Sequence, residues 1–307
     1  MSEEGKRIAS SSVTRAIRVV GDRWSILIIR DAFQGVHRFQ QFLGRTGTSR
    51  ATLTNRLRSL VASGILKRVK YSDAPVRFEY RLTDKGRDLY PLSLIAWSWE
   101  HRWAPRGAGI PAALVHRACN HDTQPMLACG KCREALLIGD TQYRPGPGAK
   151  ARSPAAAARY RRLSALTSRT HRGSHTSLVH IADVVGDPWS PLIVAAAFFR
   201  LRRFDDIQRE LGIATNILAH RLNLLVRQRV FERRLYLQQP RRYEYRLTDK
   251  GRDLFGYALL LNAWGDRWLP TPAGPPHLIV HETCGQVTTP VVLCHHCRAE
   301  LVPGSTN

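Results

Sequence analysis

The sequence predicts an α+β fold that is mainly helical, carries small β-hairpins, and occurs as two copies of one unit in a single chain. Three observations support this prediction. Residues 21–132 return at residues 186–297 with a constant offset of 165 and no insertion or deletion. Apolar residues recur at helical spacing over most of each copy, with two short alternating segments among them. Each copy also ends in a cluster of cysteine and histidine residues.

The repeat is strongest at its most distinctive positions. The run Glu79–Leu89 returns letter for letter as Glu244–Leu254, and Trp99 returns as Trp264. Two copies of one unit on one polypeptide make a covalent pseudo-dimer. Such a molecule suits a target that itself comes in two halves.

The composition narrows the nature of that target. The chain has 307 residues, of which 47 are Lys or Arg and 24 are Asp or Glu, so its formal net charge is +23. This excess is typical of nucleic-acid binders, although an anionic membrane surface or an acidic protein would also be attracted. The sequence has no long apolar run and no signal-like leader, so we expect a cytoplasmic protein that is associated with the nucleoid.

The first copy is predicted to begin with two helices. Val13–Val20 has a helical pattern that ends at Gly21. Asp22 is then a suitable N-cap for the apolar helix Trp24–Phe33. The second copy repeats this start with a proline, Pro188, at the first helical position, where its missing N–H costs nothing.

The middle of each copy is predicted to contain two helices separated by a turn, followed by a hairpin. In the first copy these are a helix over Arg38–Leu43, a turn over Gly44–Thr48 and a helix over Ser49–Ser63. The segments Leu66–Tyr71 and Val76–Leu82 alternate in polarity, as the strands of a hairpin do.

A long final helix is predicted from Arg87 to about Trp103, capped by the run Thr83-Asp84-Lys85-Gly86. The order is therefore helix, helix, turn, helix, hairpin, helix. This is the order of a winged helix-turn-helix domain.

The same segments carry four recognisable motifs, which read GDRWxxxIIRDAF, HRF, LxxRLxxLxxxG and EYRLTDKGRDL in the first copy. Together they resemble the HxlR-type winged-helix transcription regulators over residues 11–105 and 176–270. The resemblance implies a winged helix-turn-helix domain in each range, double-stranded DNA as the partner, and a regulator rather than an enzyme. It also implies terminal helices that form the dimer contact in homodimeric relatives. Relatives of this type can hold a small-molecule effector between the DNA-binding core and these helices, but the sequence does not identify one.

The second helix of a helix-turn-helix lies in the major groove, with its N-terminal side chains facing the base edges. Arg can pair with guanine and Asn with adenine. The candidates for DNA contact on this helix are Ser49, Arg50, Thr52, Asn55 and Arg56 in the first copy, and Thr215, Asn216, His220 and Arg221 in the second. The alternative is that these side chains form the solvated face of an amphipathic helix. Because the two sets differ, we expect two unlike half-sites.

Basic residues near the hairpin tips, and one basic residue before an aromatic residue in each copy, are further candidates for DNA contact. Those on the wings could reach a neighbouring minor groove or phosphate. They are Lys70, Arg77, Arg241 and Arg242 on the wings, and Arg38 and Arg203, which precede the aromatic residues Phe39 and Phe204.

Each copy ends in the pattern H-x2-C-x9-C-x2-C, which contains all six cysteines of the chain. One imidazole and three thiolates form a tetrahedral set suited to structural zinc, with no open position for catalysis. The expected sets are His116, Cys119, Cys129 and Cys132, and His281, Cys284, Cys294 and Cys297. We expect about two zinc ions per chain, held in zinc-ribbon-like segments over residues 112–137 and 277–302. A thiol redox sensor and unliganded cysteines are the alternatives, and His121, His295 and His296 could each replace a ligand.

Residues 138–175 are predicted to be a basic linker in which Ala155–Thr167 could form a helix. Its basic residues either form a charged segment exposed to solvent or provide an additional segment that contacts DNA phosphates. The zinc deaminase pattern is the nearest catalytic motif, but its spacing fails because Glu282 follows His281 directly.

We therefore expect a sequence-specific DNA-binding transcription regulator, a repressor, that acts as a single-chain pseudo-dimer on a two-half operator. An architectural or repair-associated DNA-binding protein without strong sequence preference is the alternative. A monomer with an intramolecular pseudo-dimer is the expected assembly, and a homodimer is the alternative.

Overall fold

The computed structural model describes residues 8, 11–105, 108–150 and 177–306. It confirms the predicted α+β class, since the described chain consists of helices and small antiparallel sheets. In the first copy the helices are α1 (Ser12–Val20), α2 (Arg23–Phe33), α3 (Phe39–Thr46), α4 (Arg50–Ala62), α5 (Asp84–Arg87) and α6 (Tyr90–Trp103). The wing consists of β1 (Leu66–Asp73) and β2 (Val76–Leu82).

Short strands follow the first winged helix-turn-helix. They are β3 (Leu114–His116), β4 (His121–Thr123), β5 (Pro125–Cys129) and β6 (Thr141–Pro145). The second copy then forms α7 (Val179–Val185), α8 (Ser190–Phe198), α9 (Phe204–Leu211), α10 (Thr215–Arg227), β7 (Phe231–Leu237), β8 (Arg242–Leu247), α11 (Asp249–Arg252) and α12 (Phe255–Trp268). The last strands are β9 (His277–His281), β10 (Gln286–Val287) and β11 (Pro290–Cys294).

In the first copy the helix starts follow the predicted caps. In the second copy α8 begins at Ser190, so the predicted place of Pro188 at the first helical position is wrong. The carboxylate of Asp22 accepts the N–H groups of Trp24 and Ser25, each at 3.1 Å, and so begins α2. Thr83 caps α5 by accepting the Gly86 N–H at 3.1 Å. Gly86 cannot be replaced easily, because a Cβ at that position would lie 2.3 Å from the backbone oxygen of Ile65.

Two predicted boundaries differ from the structure. Helix α3 continues to Thr46 and ends at Gly47, whose φ of 61° is left-handed, so the predicted turn over Gly44–Thr48 begins too early. Gly44 lies inside this helix, and a Cβ at its position would meet no neighbouring atom, so packing does not require a glycine there. The long final helix is divided into α5 and α6 by Asp88 and Leu89.

The chain divides into two compact units, and each unit takes segments from both copies. The first unit contains residues 19–127, 168–186 and 291–307; its described part therefore holds the first winged helix-turn-helix, α7 and the last cysteine pair. The second unit contains residues 1–18, 128–167 and 187–290; it therefore holds the second winged helix-turn-helix, most of α1 and the cysteine pair Cys129/Cys132. The structure therefore differs from the expectation that each of these segments stays with its own copy.

Helix α7 is held in the first unit by a buried carboxylate of α6. Glu100, which is fully buried, accepts the N–H groups of His180 at 2.6 Å and Ile181 at 3.1 Å, and also that of Leu178. These bonds satisfy donors that a helix start leaves without an intrahelical partner.

Helix α1 is held differently in the second unit. The hydroxyl of Ser12 donates to the carboxylate of Asp266, and the Arg15 side chain donates to the Leu269 carbonyl at 2.9 Å. Gly265 stands at the repeat position of Glu100, and a Cβ there would lie 2.4 Å from the Ser12 carbonyl oxygen. A glycine therefore permits a close approach where the first unit uses a carboxylate.

The start of the predicted linker is an ordered part of the second unit. Strand β6 pairs with β9, which in turn pairs with β10. Gly146 and Gly148 donate their N–H groups to the carbonyls of Pro276 at 2.9 Å and Pro275 at 3.1 Å. A Cβ on either glycine would lie 2.3 Å from a backbone oxygen. The glycines of the Pro-Gly-Pro-Gly run therefore permit close backbone packing and do not serve as a flexible linker. The predicted helix Ala155–Thr167 lies outside the described residues.

Within the described chain no single helix is long and apolar enough to span a membrane. Helices α7 and α8 satisfy the length and composition criteria only when they are joined as a bent pair. Most residues of both helices are buried within the protein.

Candidate DNA-binding surfaces and metal centres

Helix α4 has an exposed polar face opposite its buried leucines. Arg50, Thr54, Asn55 and Arg58 are exposed along it. Arg58 was not among the predicted contacts, although the four-residue spacing from Arg50 through Thr54 to Arg58 places all three on one side of a helix. That spacing is the sequence signal that could have identified it.

Ser49 and Thr52 serve the start of the same helix. The Ser49 hydroxyl oxygen accepts the Thr52 N–H at 3.1 Å, and the two hydroxyls lie 3.0 Å apart. Ser49 is exposed, whereas Thr52 is half-buried. Ser49 and Thr52, both predicted to contact DNA, therefore take part in capping α4, whether or not DNA is bound.

The arginines predicted near the middle of each recognition helix are held by ion pairs. Arg56 Nε lies 3.2 Å from Asp22 Oδ1, and the Arg56 side chain is only 19% exposed. Arg221 Nε lies 3.4 Å from Asp187 Oδ1, with a side-chain exposure of 14%. The structure thus places Arg56 against Asp22, the N-cap of α2, and Arg221 against Asp187, which lies just before α8. Neither arginine lies on the exposed polar face of its helix.

The exposed face of α10 is less basic than that of α4. Thr215, Asn216, His220 and Asn223 are exposed on it. Thr215 and Asn223 stand at the repeat positions of Arg50 and Arg58, so two positive charges are absent from this face. The Thr215 hydroxyl also accepts a 2.7 Å hydrogen bond from the Gln208 side chain.

The first helix of each helix-turn-helix increases the difference in charge between the two copies. Helix α9 carries Asp205 and Asp206 in its first turn, where α3 carries Gln40 and Gln41. In a helix-turn-helix this helix crosses the DNA backbone, so acidic side chains there disfavour phosphate contact.

The predicted wing residues lie at the surface. Lys70 forms an ion pair with Asp73, which ends the same strand, β1. The guanidinium groups of Arg38 and Arg203 lie 4.7 Å and 4.8 Å from the ring centroids of Tyr71 and Tyr236. The remaining predicted wing residues are all exposed and are Arg77, Arg241 and Arg242.

The eight predicted metal ligands form two clusters, but their grouping is exchanged between the copies. The first, hereafter the His116 cluster, consists of His116, Cys119, Cys294 and Cys297. The second, hereafter the His281 cluster, consists of Cys129, Cys132, His281 and Cys284. The expectation that each copy supplies one complete cluster is therefore wrong. The exchange arises because the chain passes from one compact unit to the other within β5 and again at the start of β11.

In the His116 cluster the donor atoms converge from two parts of the first unit. Nδ1 of His116 lies 3.3 Å from the Cys119 sulfur and 3.4 Å from the Cys297 sulfur. The sulfurs of Cys119 and Cys294 lie 3.9 Å apart. Among all four ligands, each donor atom lies within 4.8 Å of the others, so the cluster could hold a metal ion.

The His281 cluster repeats this geometry in the second unit. Nδ1 of His281 lies 3.3 Å from the Cys132 sulfur and 3.6 Å from the Cys284 sulfur. The sulfurs of Cys129 and Cys284 lie 3.9 Å apart.

Comparison with known proteins identifies the framework that carries these clusters. The model of the HxlR-like helix-turn-helix family matches residues 19–108 and 184–272. The chain belongs to the HxlR-like helix-turn-helix family. This family consists of DNA-binding transcription regulators and not of enzymes, so the predictions of a DNA partner and of a non-enzymatic role are confirmed at that level.

Several bacterial regulators are similar to this HxlR-like chain. An uncharacterised HTH-type transcriptional regulator of Mycobacterium tuberculosis is 42% identical over 152 residues, which cover 50% of this chain and 96% of that protein. An uncharacterised HTH-type regulator of Bacillus subtilis is 33% identical over 90 residues, 29% of this chain and 83% of the relative. A solved structure of a candidate transcription factor from Pseudomonas aeruginosa is 38% identical in sequence. The match covers 39% of this chain and 81% of the chain in that structure. Its TM-score of 0.32 is too low to bear on the fold.

The buried cysteines of this HxlR-like chain favour the thiolate form. Burial alone would raise the pKa of Cys129, but hydrogen bonding with the Thr288 hydroxyl, 3.0 Å away, and with backbone groups lowers that pKa to about 6. Burial likewise raises the pKa of Cys294, and a hydrogen bond from the Thr123 hydroxyl, 3.1 Å away, lowers it. The resulting pKa of Cys294 is about 6. The thiolate is the metal-binding form of cysteine, so each cluster contains one buried cysteine that is prepared for a cation.

Proposed function

We propose that the chain is a transcription repressor that binds one operator with two unlike half-sites, as a single-chain pseudo-dimer stabilised by two zinc ions. The exchange of segments between the copies carries this proposal. Each compact unit contains a helix and a cysteine pair from the other copy. A chain that supplies these segments to itself needs no second chain for them, so a monomer is the expected solution state.

The differences between the two recognition helices support unlike half-sites. We assign base contacts in the first copy to Arg50 and Asn55, because both are exposed at the N-terminal half of α4. Arg58, farther along the same face, is assigned to a phosphate. In the second copy Asn216 and His220 are the candidate base contacts. The acidic start of α9 makes the second winged helix-turn-helix the weaker DNA binder of the two.

The wings supply the remaining contacts in this proposal. Arg77, Arg241 and Arg242 are exposed near the hairpin tips, where a guanidinium can reach a phosphate or a minor groove. Repression by occupancy of the operator needs no contact other than those with DNA.

The donor sets support zinc in particular. Bond lengths of about 2.3 Å to sulfur and 2.0–2.1 Å to nitrogen place neighbouring ligands of a tetrahedral zinc about 3.8 Å apart for two sulfurs and about 3.6 Å apart for sulfur and nitrogen. The corresponding distances are 3.9 Å between sulfurs in both clusters and 3.3–3.6 Å from the imidazole nitrogens to sulfur. Four protein ligands leave no open position, so the role is structural.

The test combines footprinting with light scattering. Genome-wide footprinting in the cell identifies bound sites, and light scattering measures the mass of the free protein and of its complex with one such site. The expected result is one chain on one asymmetric site that survives a large excess of random duplex. Two chains on a symmetric palindrome would overturn the single-chain mode, and loss of the footprint to random duplex would favour an architectural protein.

A further inference from the structure

The two metal clusters occupy equivalent positions in the repeat, yet their surroundings differ in three respects. The first concerns the histidine ligands. Nε2 of His281 is buried and makes no hydrogen bond within the described residues, and the carboxylate oxygen Oδ2 of Asp140 lies 3.7 Å from it. A carboxylate behind a ligating histidine fixes the orientation of the ring and increases its basicity as a ligand.

The His116 cluster has a serine at the corresponding place. Asp140 Oδ1 accepts the Leu137 N–H at 2.8 Å, which leaves Oδ2 to face His281. Ser305, at the repeat position of Asp140, accepts the Val302 N–H with its hydroxyl oxygen at 3.1 Å. Serine has one side-chain oxygen, and the turn already uses it. The same turn therefore supplies a carboxylate to one cluster and not to the other.

The second difference is solvent access. Cys297 of the His116 cluster is exposed, whereas the equivalent Cys132 of the His281 cluster is half-buried. A metal in the His116 cluster is consequently easier for a competing ligand to reach.

The third difference is an additional set of donors. Donor atoms of Cys119, His121 and His296 also lie within 4.8 Å of one another, so this set shares one ligand with the His116 cluster. Both histidines are exposed, and their rings stack with centroids 3.7 Å apart. The repeat positions in the His281 cluster hold Gln286 and Lys131, neither of which is a ready zinc ligand.

The tautomer of His121 suits this role. Its Nδ1 lies 2.6 Å from the Cys119 carbonyl oxygen, which can only accept, so Nδ1 carries the proton. The lone pair on Nε2 is then free for a cation.

We infer that the His281 cluster releases its zinc slowly, whereas the His116 cluster exchanges zinc faster with the surroundings through Cys119, His121 and His296. This inference rests on the proposed zinc sites. During exchange Cys119 keeps the ion while the two exposed histidines replace the other ligands in turn, so no oxidant or reductant is needed. Asp140 is a positioning residue for His281 in this arrangement.

The test measures zinc release from the full chain loaded with two zinc ions. A chromogenic chelator in excess reports release with time at constant pH, and iodoacetamide added after the first phase marks the freed cysteines for peptide mapping. The expected result is two phases of equal amplitude whose rates differ by about tenfold or more, because loss of an outer-shell partner typically costs about 10–100-fold in metal affinity. The first phase should label Cys119, Cys294 and Cys297.

Matched variants exchange the features between the clusters. Asp140→Ser should accelerate the slow phase, and Ser305→Asp should slow the fast phase. The pair His121→Gln and His296→Lys, which copies the other cluster, should also slow the fast phase and leave the slow phase unchanged. Circular dichroism and a starting content of two zinc ions establish that each variant is folded and loaded.

The outcomes separate this inference from the proposed function. Two zinc ions released at one rate, or labelling of Cys132 and Cys284 first, would overturn the inference and leave the zinc sites intact. A purified chain without any zinc would overturn the zinc sites and the inference with them. Because the labelling pattern of the unmodified chain is decisive, the test does not depend on any variant.

Discussion

The sulfurs of Cys119 and Cys294 lie 3.9 Å apart, although 175 residues separate the two cysteines in the chain. Cys129 and Cys284 form the equivalent pair at the same distance with a separation of 155 residues. A metal in either cluster therefore ties an early segment of the chain to a late one. Closing so long a loop restricts the unfolded chain more than a link within one copy would.

The exchanged grouping makes a specific prediction for Cys294→Ser. This change should lower the zinc content from about two ions to about one, because it removes one of four ligands from the His116 cluster. Cys119, which belongs to the other copy, should then react with iodoacetamide, while Cys284 stays protected. Metal analysis and peptide mapping provide the measurement.

Cys284→Ser is the matched control for that experiment and should expose Cys129 and Cys132 instead. If Cys294→Ser exposed Cys284 and left Cys119 protected, the ligands would be grouped within each copy after all.

Arg50→Ala should relax base preference in one half of the operator. A lost bidentate pair with a base costs about 1–3 kcal/mol of discrimination. Thr215→Ala, the same position in the second copy, should have a smaller effect, because the Thr215 hydroxyl already accepts a hydrogen bond from Gln208. Binding to a set of operators with single base changes measures both effects. Equal weakening on operator and random DNA would remove Arg50 from base recognition.

Arg56→Ala and Arg58→Ala should separate a structural arginine from a DNA-binding one. Arg56 is mostly buried in its pair with Asp22, so its loss should lower the free energy of unfolding by about 1 kcal/mol. Arg58 is exposed, so its loss should leave stability unchanged and reduce the slope of log K against log salt by about one. Denaturant unfolding and binding at several salt concentrations distinguish the two, and the reverse pattern would contradict both assignments.

Local signals explain why most elements could be predicted from the sequence. Asp22 and Ser49 lie next to the helices that they cap, and the alternation of β1 and β2 is a property of neighbouring residues. The repeat fixed the correspondence between the copies. The HxlR-like motifs lie within these same local elements, which is why the family could be recognised before the fold was known.

The exchange of ligands could not be predicted in the same way. His116 could be completed by Cys129 and Cys132 or by Cys294 and Cys297, and the two pairs have the same spacing. The choice depends on where the chain passes between compact units, which no local pattern encodes. The ion pair of Arg56 could not be predicted for a related reason, since its partner Asp22 is distant in sequence and adjacent only in the folded unit.

The buried Glu100 gives the chain a predictable dependence on pH. Burial raises the pKa of Glu100 from 4.5 to about 7, although three backbone N–H groups of the α7 start and the nearby Arg30 act to lower it. The folded state therefore binds this proton more tightly than the unfolded state does. Between about pH 4.5 and 7 the folded state holds more protons, so the free energy of unfolding should fall as pH rises through this window. The decrease should reach at most about 3 kcal/mol.

Glu100→Gln tests this dependence, because glutamine keeps the shape of the side chain and does not titrate. Denaturant unfolding of both proteins at pH values from 4.5 to 8 should give a smaller decrease for the variant. Some decrease should remain, since burial also raises the pKa of Asp266 in the second unit. Metal release depends on pH as well, so the difference between variant and unmodified chain is the quantity to compare. If the two proteins lost stability in parallel across this range, Glu100 would not be the titrating group that holds α7 in place.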